Sequence, residues 1–175
     1  MTITPAHIVR PAALEDSAAI AAIYNRYIVE SIATFELTSI EATTMAERMA
    51  VSPEGLQWLV VELPTNGIVG YASVAPWKPR GAYAKTVETS VYLADAFQGS
   101  GLARAVYGQL LETIWSKGYH AALAGIALPN DASVGLHERL GFRPAGVLRE
   151  VGFKFDRWID IGYWQALTPK TDNSS

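Results

Sequence analysis

Gln98-Gly99-Ser100-Gly101-Leu102-Ala103 decides how this chain folds, because two glycines and a serine stand where a β-rich run ends and a helical run begins. Residues this small let backbone N–H groups converge at a helix start, where the positive end of the helix dipole favours an anion. Downstream, Leu102, Val106, Leu110, Leu111 and Ile114 recur at helical spacing, and Gly118 stands where a left-handed cap ends such a helix. Upstream, Lys85 to Leu93 alternates, with Val87, Val91 and Leu93 on one side and Glu88, Ser90 and Tyr92 on the other. Beyond Gly118, Ala121 to Leu128 is uncharged and bounded by His120 and Pro129, as a buried strand would be. Strand, helix and strand together predict a βαβ unit.

Outward from that unit the chain supplies the rest of one layered domain. Ile20, Ile23, Tyr24, Tyr27 and Ile28 form one apolar helical face that Asp16 can cap. After Ser39, a second helical run carries Ala42, Met45, Ala46 and Met49 and ends before Pro53 and Gly55. Trp58 to Leu63 and Ile68 to Val74 flank Pro64-Thr65-Asn66-Gly67, the signal of an antiparallel hairpin. On the C-terminal side, Asn130 or Asp131 caps a short helix through Ser133, Leu136, His137 and Leu140, closed by Gly141, after which Phe142 returns to the core. Two strands, Val147 to Phe155 and Trp158 to Leu167, meet at Asp156-Arg157. The order describes an α/β domain around one mixed sheet over residues 1–167, with Thr168 to Ser175 expected to fray.

Composition narrows the function classes. The 175 residues are 50% hydrophobic and 18% charged, enough apolar material for one core, and the formal net charge is −3. That balance offers no bulk positive field for nucleic acid. With no cysteine there are no disulfides, thiolate nucleophiles or Cys-containing metal sites, which fits a reducing cytoplasm. No uncharged apolar run approaches the ~20 residues that cross a bilayer, so no membrane association is expected. His7, His120 and His137 form no ligand-spaced cluster with acids, so no metal is expected either. A covalent acyl-enzyme lacks its usual nucleophile, since no Gly-x-Ser-x-Gly elbow occurs.

The glycine turn is not a P-loop, because Leu102 and Ala103 follow Gly101 where Lys and Ser/Thr are required. It is not a Rossmann fingerprint, because Arg104 stands at the third small position and the region about 20 residues on holds no acid. On the residues alone it is an anion nest or a plain tight turn. Glu88 likewise has two readings, a solvent-facing sheet residue or a poorly solvated carboxylate whose raised proton affinity suits a general base. His137 is either a satisfied structural residue or a proton donor or relay. Lys78 and Arg80, beside Trp77 and Pro79, form a solvated loop or receive an anionic group. Phe35 is a core ring or a pocket wall.

Gln98-x-x-Gly101-x-Ala103 resembles the Gln/Arg-x-x-Gly-x-Gly/Ala signature of the GNAT superfamily of N-acetyltransferases, and Asn130-x-x-Ser133-x-x-x-His137-x-x-x-Gly141-Phe142 resembles a second element of it. Val87-Glu88-x-Ser90-Val91-Tyr92, Leu128-Pro129-Asn130-Asp131-x-Ser133, Gly152-Phe153-Lys154 and Gly162-x-Trp164-Gln165 are similar to the phosphinothricin and methionine sulfoximine acetyltransferases, over about Arg10 to Leu167.

The resemblance implies a single GNAT-like domain with a βαβ acetyl-CoA-binding core, and direct acetyl transfer to the amine of a small amino-acid analogue, a detoxification-like activity. It implies that Gln98, Gly99, Ser100, Gly101, Leu102, Ala103 and Arg104 hold the pyrophosphate, that Val91, Tyr92 and Leu93 run along the pantetheine, and that Asn130 and Ser133 contact CoA. Glu88 becomes the general base and His137 a second catalytic residue. Phe35, Trp77, Lys78, Pro79, Arg80, Glu88, Thr89 and Ser90 become the acceptor pocket. The aromatic load of Phe153, Phe155, Trp158, Tyr163 and Trp164 is that of an ordinary core or of a homodimer, and the resemblance implies a homodimer whose interface lies near the acceptor pocket. Acetylation of peptide N-termini, which needs an open groove, and a noncatalytic acyl-CoA sensor, which needs no Glu88, are the alternatives.

Overall fold

The computed structural model describes residues 6–169. In chain order they form β1 (Ile8–Pro11), α1 (Ser17–Glu30), α2 (Ala42–Ala50), β2 (Leu59–Leu63), β3 (Gly67–Pro76), β4 (Thr86–Leu93), α3 (Leu102–Ser116), β5 (Ala121–Leu128), α4 (Asp131–Arg139), β6 (Arg143–Lys154) and β7 (Arg157–Leu167). The strands make one mixed sheet in the order β1-β2-β3-β4-β5-β7-β6. β4 and β5 are its parallel pair, joined through α3 as the βαβ reading requires.

Alternation along β4 sorts the two faces of the sheet. Tyr92 packs edge-on against Tyr24 and Tyr27 of α1, so Glu88, Ser90 and Tyr92 look toward α1 and α2. Val87 and Thr89 look the other way, where Thr89 meets Tyr107 of α3. Both faces are therefore covered, and the side carrying Tyr92 holds a buried aromatic layer where polar residues had suggested solvent. Ile20, Val87, Tyr107, Leu110 and Phe142 at 0% exposure mark the core.

Local signals read from the sequence recur with their reasons. Gly67 takes φ +67° at the β2–β3 turn and Gly118 φ +74° after α3, both in the left-handed region that glycine enters without steric cost. Asp16, expected to cap α1, does something else. Its carboxylate pairs with Arg10 at 2.7 Å and accepts from the Ala13 amide, while a 3-10 turn at Leu14–Asp16 leads into the helix. β1 is an addition to the sequence reading. It is four residues long and ends in Pro11, which an edge strand tolerates because one side of its ladder needs no donor.

The last hairpin also departs from expectation. β6 starts at Arg143 rather than Val147, and its two-residue turn is Phe155-Asp156, at φ +52° and +55°, rather than Asp156-Arg157. Irregularities between Pro144 and Gly146 and between Leu148 and Gly152 bend β6. Gly152 lies directly beneath the Phe35 ring, with no room for a Cβ. Buried Lys154 donates to the Thr34 carbonyl at 2.9 Å, and burial lowers its pKa. Thr34-Phe35 is thus clamped onto β6. In the expected tail, the Thr168 amide donates to the His120 carbonyl. Positions 170–175 lie outside the described residues. No described helix is long and apolar enough to cross a membrane.

Candidate active site

β4 and β5 pair from Thr86↔Ala121 to Glu88↔Leu123 and then separate, although both strands continue. At the point of parting, Thr89 Oγ1 donates to the Leu123 carbonyl at 3.2 Å and accepts from the Tyr107 hydroxyl at 2.7 Å. A side chain thereby takes a carbonyl that a neighbouring backbone amide would otherwise satisfy. The strands open into a cavity of about 410 Å³. Ser90, Val91, Tyr92 and Leu93 line one wall and Ala124 to Ala127 the other, with Tyr27 of α1 at the side.

The mouth of this cavity is the glycine turn. Gly99 at φ +73° and Gly101 at φ +86° bend the chain into α3, and Gln98, Gly99, Gly101, Ala103 and Arg104 face the opening. The amides of Gly101, Ala103 and Arg104 find no acceptor among the described residues. Unbonded N–H groups at a helix start fit a pyrophosphate. Two residues of the expected set do not face the opening. Leu102 is fully buried in the core, and Ser100 turns its hydroxyl back to the Phe97 carbonyl.

α4 supplies the opposite wall. Asn130 caps it by accepting from the Ser133 amide at 3.1 Å, and Asn130, Ser133 and His137 all line the cavity. His137 is 4% exposed and wedged edge-on between Tyr107 and Phe142. Its Nδ1 donates to the Ser133 carbonyl at 2.7 Å, so the proton sits there. Nε2 is buried without a partner among the described residues. Burial lowers the pKa of the ring, which leaves a neutral imidazole whose Nε2 accepts rather than donates. Of the expected donor and relay roles, this resting geometry suits the relay, which must first accept a proton.

Glu88 is half-buried at the point where the strands part, and its carboxylate has no hydrogen-bond partner among the described residues. Oε1 lies 3.9 Å from where a Cβ on Gly125 would stand, so the glycine leaves the carboxylate its space. Burial raises the pKa of Glu88, and the positive charge of Lys78 opposes part of that shift.

Of the residues expected to form the acceptor pocket, Trp77 and Lys78 lie near Glu88 around Tyr163, whereas Phe35 and Thr89 are turned elsewhere. Trp77 packs edge-on to Tyr163, Lys78 lies over the Trp77 ring at 4.7 Å, and Lys78, Pro79 and Arg80 are exposed. Phe35 is committed to Gly152, and Thr89 points to the α3 side. Ser90 alone of the set lines a second cavity, of about 310 Å³, on the α1 and α2 side. That cavity shares Ser90 and Tyr92 with the first. It adds Arg48, Tyr71 and Ser73, which sequence reading missed because no periodicity links α2 to the middle of β3.

A model of the GNAT acetyltransferase domain matches residues 9–162. The chain is 39% identical to a phosphinothricin N-acetyltransferase of Streptomyces viridochromogenes, over 90% of this chain and 85% of that one. It is 36% identical to an L-methionine sulfoximine/L-methionine sulfone acetyltransferase of Pseudomonas paraeruginosa, over 90% of this chain and 92% of that one. The crystal structure of a phosphinothricin acetyltransferase from Sinorhizobium meliloti, in complex with acetyl-CoA, aligns with a TM-score of 0.89 at 28% identity, covering 100% of this chain and 93% of that one. Likeness of this extent in sequence and in backbone, on a sheet that parts at its parallel pair, means that the chain belongs to the GNAT family of acetyltransferases.

Proposed function

We propose that this N-acetyltransferase acetylates the primary amine of a small amino-acid analogue, of the methionine sulfoximine, methionine sulfone or phosphinothricin kind. The observation that carries the reading is the position of Glu88, an unpartnered, half-buried carboxylate on β4 next to the strand segment that both cavities share. Acetyl-CoA supplies an activated acyl group. The amides at Gly101, Ala103 and Arg104, with Gln98 and Gly99, receive the pyrophosphate, and Ser100 and Leu102 shape the turn. The open edge of Val91, Tyr92 and Leu93 receives the pantetheine, with Asn130 and Ser133 across from it. Glu88 takes the proton that an ammonium must lose before it attacks, and Nε2 of His137 is a second acceptor, in the cavity that receives acetyl-CoA. Lys78 stands near enough to Glu88 to steady its charge.

Acetylation removes the charge of the acceptor's amine, which disarms an analogue recognised through that charge. The cytoplasm, where acetyl-CoA is available, is the compartment we assign. The test is thiol release from acetyl-CoA with a panel of amines. Methionine sulfoximine, methionine sulfone and phosphinothricin should together exceed methionine and glutamate by about tenfold or more in kcat/KM. A polyamine or a peptide N-terminus winning by more than tenfold would overturn the reading.

The β6–β7 hairpin supports a homodimer. Trp164 is buried, but Phe153 is 53% and Trp158 61% exposed, and Val147, Leu148, Val151 and Phe155 are exposed around them. An apolar surface of this kind is unusual on a monomer. Light scattering should give a dimer mass, and Trp158→Lys should shift it toward the monomer. A concentration-independent monomer mass for the unaltered chain would refute the assembly.

A further inference from the structure

Three cross-strand pairs run side by side on the α1 and α2 face of the sheet: Glu88 opposite Ala75, Ser90 opposite Ser73, and Tyr92 opposite Tyr71. All of them except Glu88 line the second cavity, so its floor begins beside the carboxylate and extends along β3 and β4. Its walls are aromatic. Trp58 stacks on Tyr71 at 5.7 Å, Tyr71 on Tyr92 at 5.5 Å, and Tyr24 meets Tyr92 edge-on at 5.2 Å.

Polar atoms interrupt this apolar lining at one place. The hydroxyls of Ser73, Ser90 and Tyr71 have no hydrogen-bond partner among the described residues, and Tyr71 is only 2% exposed. These three hydroxyls open onto a single hollow without a protein partner among the described residues, which leaves them to meet a ligand's acceptor atoms. Arg48 enters from α2. Its Nη2 is held by Glu36 at 2.6 Å and its guanidinium lies beside Tyr24, 5.9 Å from the ring centre and within reach of the hydroxyl, which leaves the rest of its five-donor fork for a ligand.

We infer that this cavity is the subsite for the far end of the acceptor's side chain, that Arg48, Ser73, Ser90 and Tyr71 supply its donors, and that the Glu36–Arg48 pair makes it select a neutral, strongly dipolar tip over an anionic one. The inference rests on the amino-acid-analogue reading above and names the chemistry of its specificity. Length agrees with it. Glu88 and Ser90 are two residues apart on one strand, about 6.7 Å, and the amine and a sulfone oxygen of an extended methionine skeleton are separated by a similar reach. Charge decides the rest. Arg48 is the single Lys or Arg in the lining, and Glu36 already neutralises it. A sulfone or sulfoximine needs only donors for its oxygen or nitrogen, which the hydroxyls and the guanidinium provide. A phosphinate brings a full negative charge to a site whose own charges cancel. Methionine's thioether is a weak acceptor and leaves the donors unpaired.

The experiment measures kcat/KM by thiol release for methionine sulfone, methionine sulfoximine, phosphinothricin and methionine, with acetyl-CoA saturating, in the unaltered protein and in Arg48→Met, Ser73→Ala, Glu36→Gln and Lys78→Met. The unaltered protein should prefer the sulfone and sulfoximine to phosphinothricin by about tenfold. Arg48→Met should lower kcat/KM for both neutral analogues about 10- to 100-fold, mainly through KM, with the Kd for acetyl-CoA unchanged. Ser73→Ala removes one hydroxyl from the floor and should cost severalfold on the same two acceptors, which keeps the test decisive if Arg48→Met folds poorly. Glu36→Gln should move preference about tenfold toward phosphinothricin. If the analogues are acetylated but Arg48→Met, Ser73→Ala and Glu36→Gln leave their ranking unchanged, or Lys78→Met alone changes it, the subsite is refuted and the function stands. If no analogue is acetylated, the function itself is refuted.

Discussion

Glu88→Gln is expected to lower turnover by about 10²–10⁴, the usual cost of losing a general base, while the Kd for acetyl-CoA stays where it was. The amide keeps the size of the side chain and its place beside Gly125, so neither cavity should change shape. What it loses is the ability to take a proton. Burial holds the Glu88 pKa above its ordinary value, and only the ionised carboxylate can accept, so kcat/KM should fall as pH drops through that raised pKa. The Gln variant should lose this acid limb. Lys78 opposes the shift, so Lys78→Met should move the limb of the unaltered carboxylate to higher pH. A neutral His137 acting as base would give a limb in the same direction, at a pKa that burial lowers from its ordinary value. A Gln variant with full turnover and an intact acid limb would pass the role of base to Nε2 of His137.

Gly99→Asp should weaken acetyl-CoA binding about 100-fold with the fold intact. A Cβ at Gly99 meets nothing within 4 Å, and although φ is +73°, Asp is among the side chains that tolerate the left-handed region best. Its carboxylate would face the opening beside the unbonded amides of Gly101, Ala103 and Arg104. Two like charges at about 4 Å repel by roughly 4 kcal/mol at an effective dielectric constant of 20, and screening by salt brings this nearer the 2.7 kcal/mol of a 100-fold change. Gly99→Asn carries the same backbone strain without the charge and should retain most of the affinity. Titration calorimetry on both variants separates the two effects. Equal Kd values for Gly99→Asp and the unaltered protein would remove the pyrophosphate from this turn.

Some of this molecule was legible because its signals are local. The turn into α3, the stop at Gly118, the Asn66-Gly67 hairpin and the Asn130 cap each depend on residues within a few positions, where backbone conformation and first-turn hydrogen bonds are decided. β1 escaped notice because four residues with a proline give no period to count. The Asp16 cap misled because a nearer cation, Arg10, outbids a helix amide for the same carboxylate.

The sequence by itself determined the order of elements from α1 onward, the βαβ unit and the place of Glu88 on its strand, since periodicity, small residues at a helix start and an acid within an apolar strand are properties of contiguous residues. Only the tertiary structure decided where β4 and β5 part, because that depends on Thr89 reaching Tyr107 and the Leu123 carbonyl across two other elements. It also decided that Phe35 is spent on Gly152 and that Arg48 joins Ser73 and Ser90, contacts between side chains from distant segments. Such meetings are set by sheet register and by which helix covers which face, and no short window of sequence carries either.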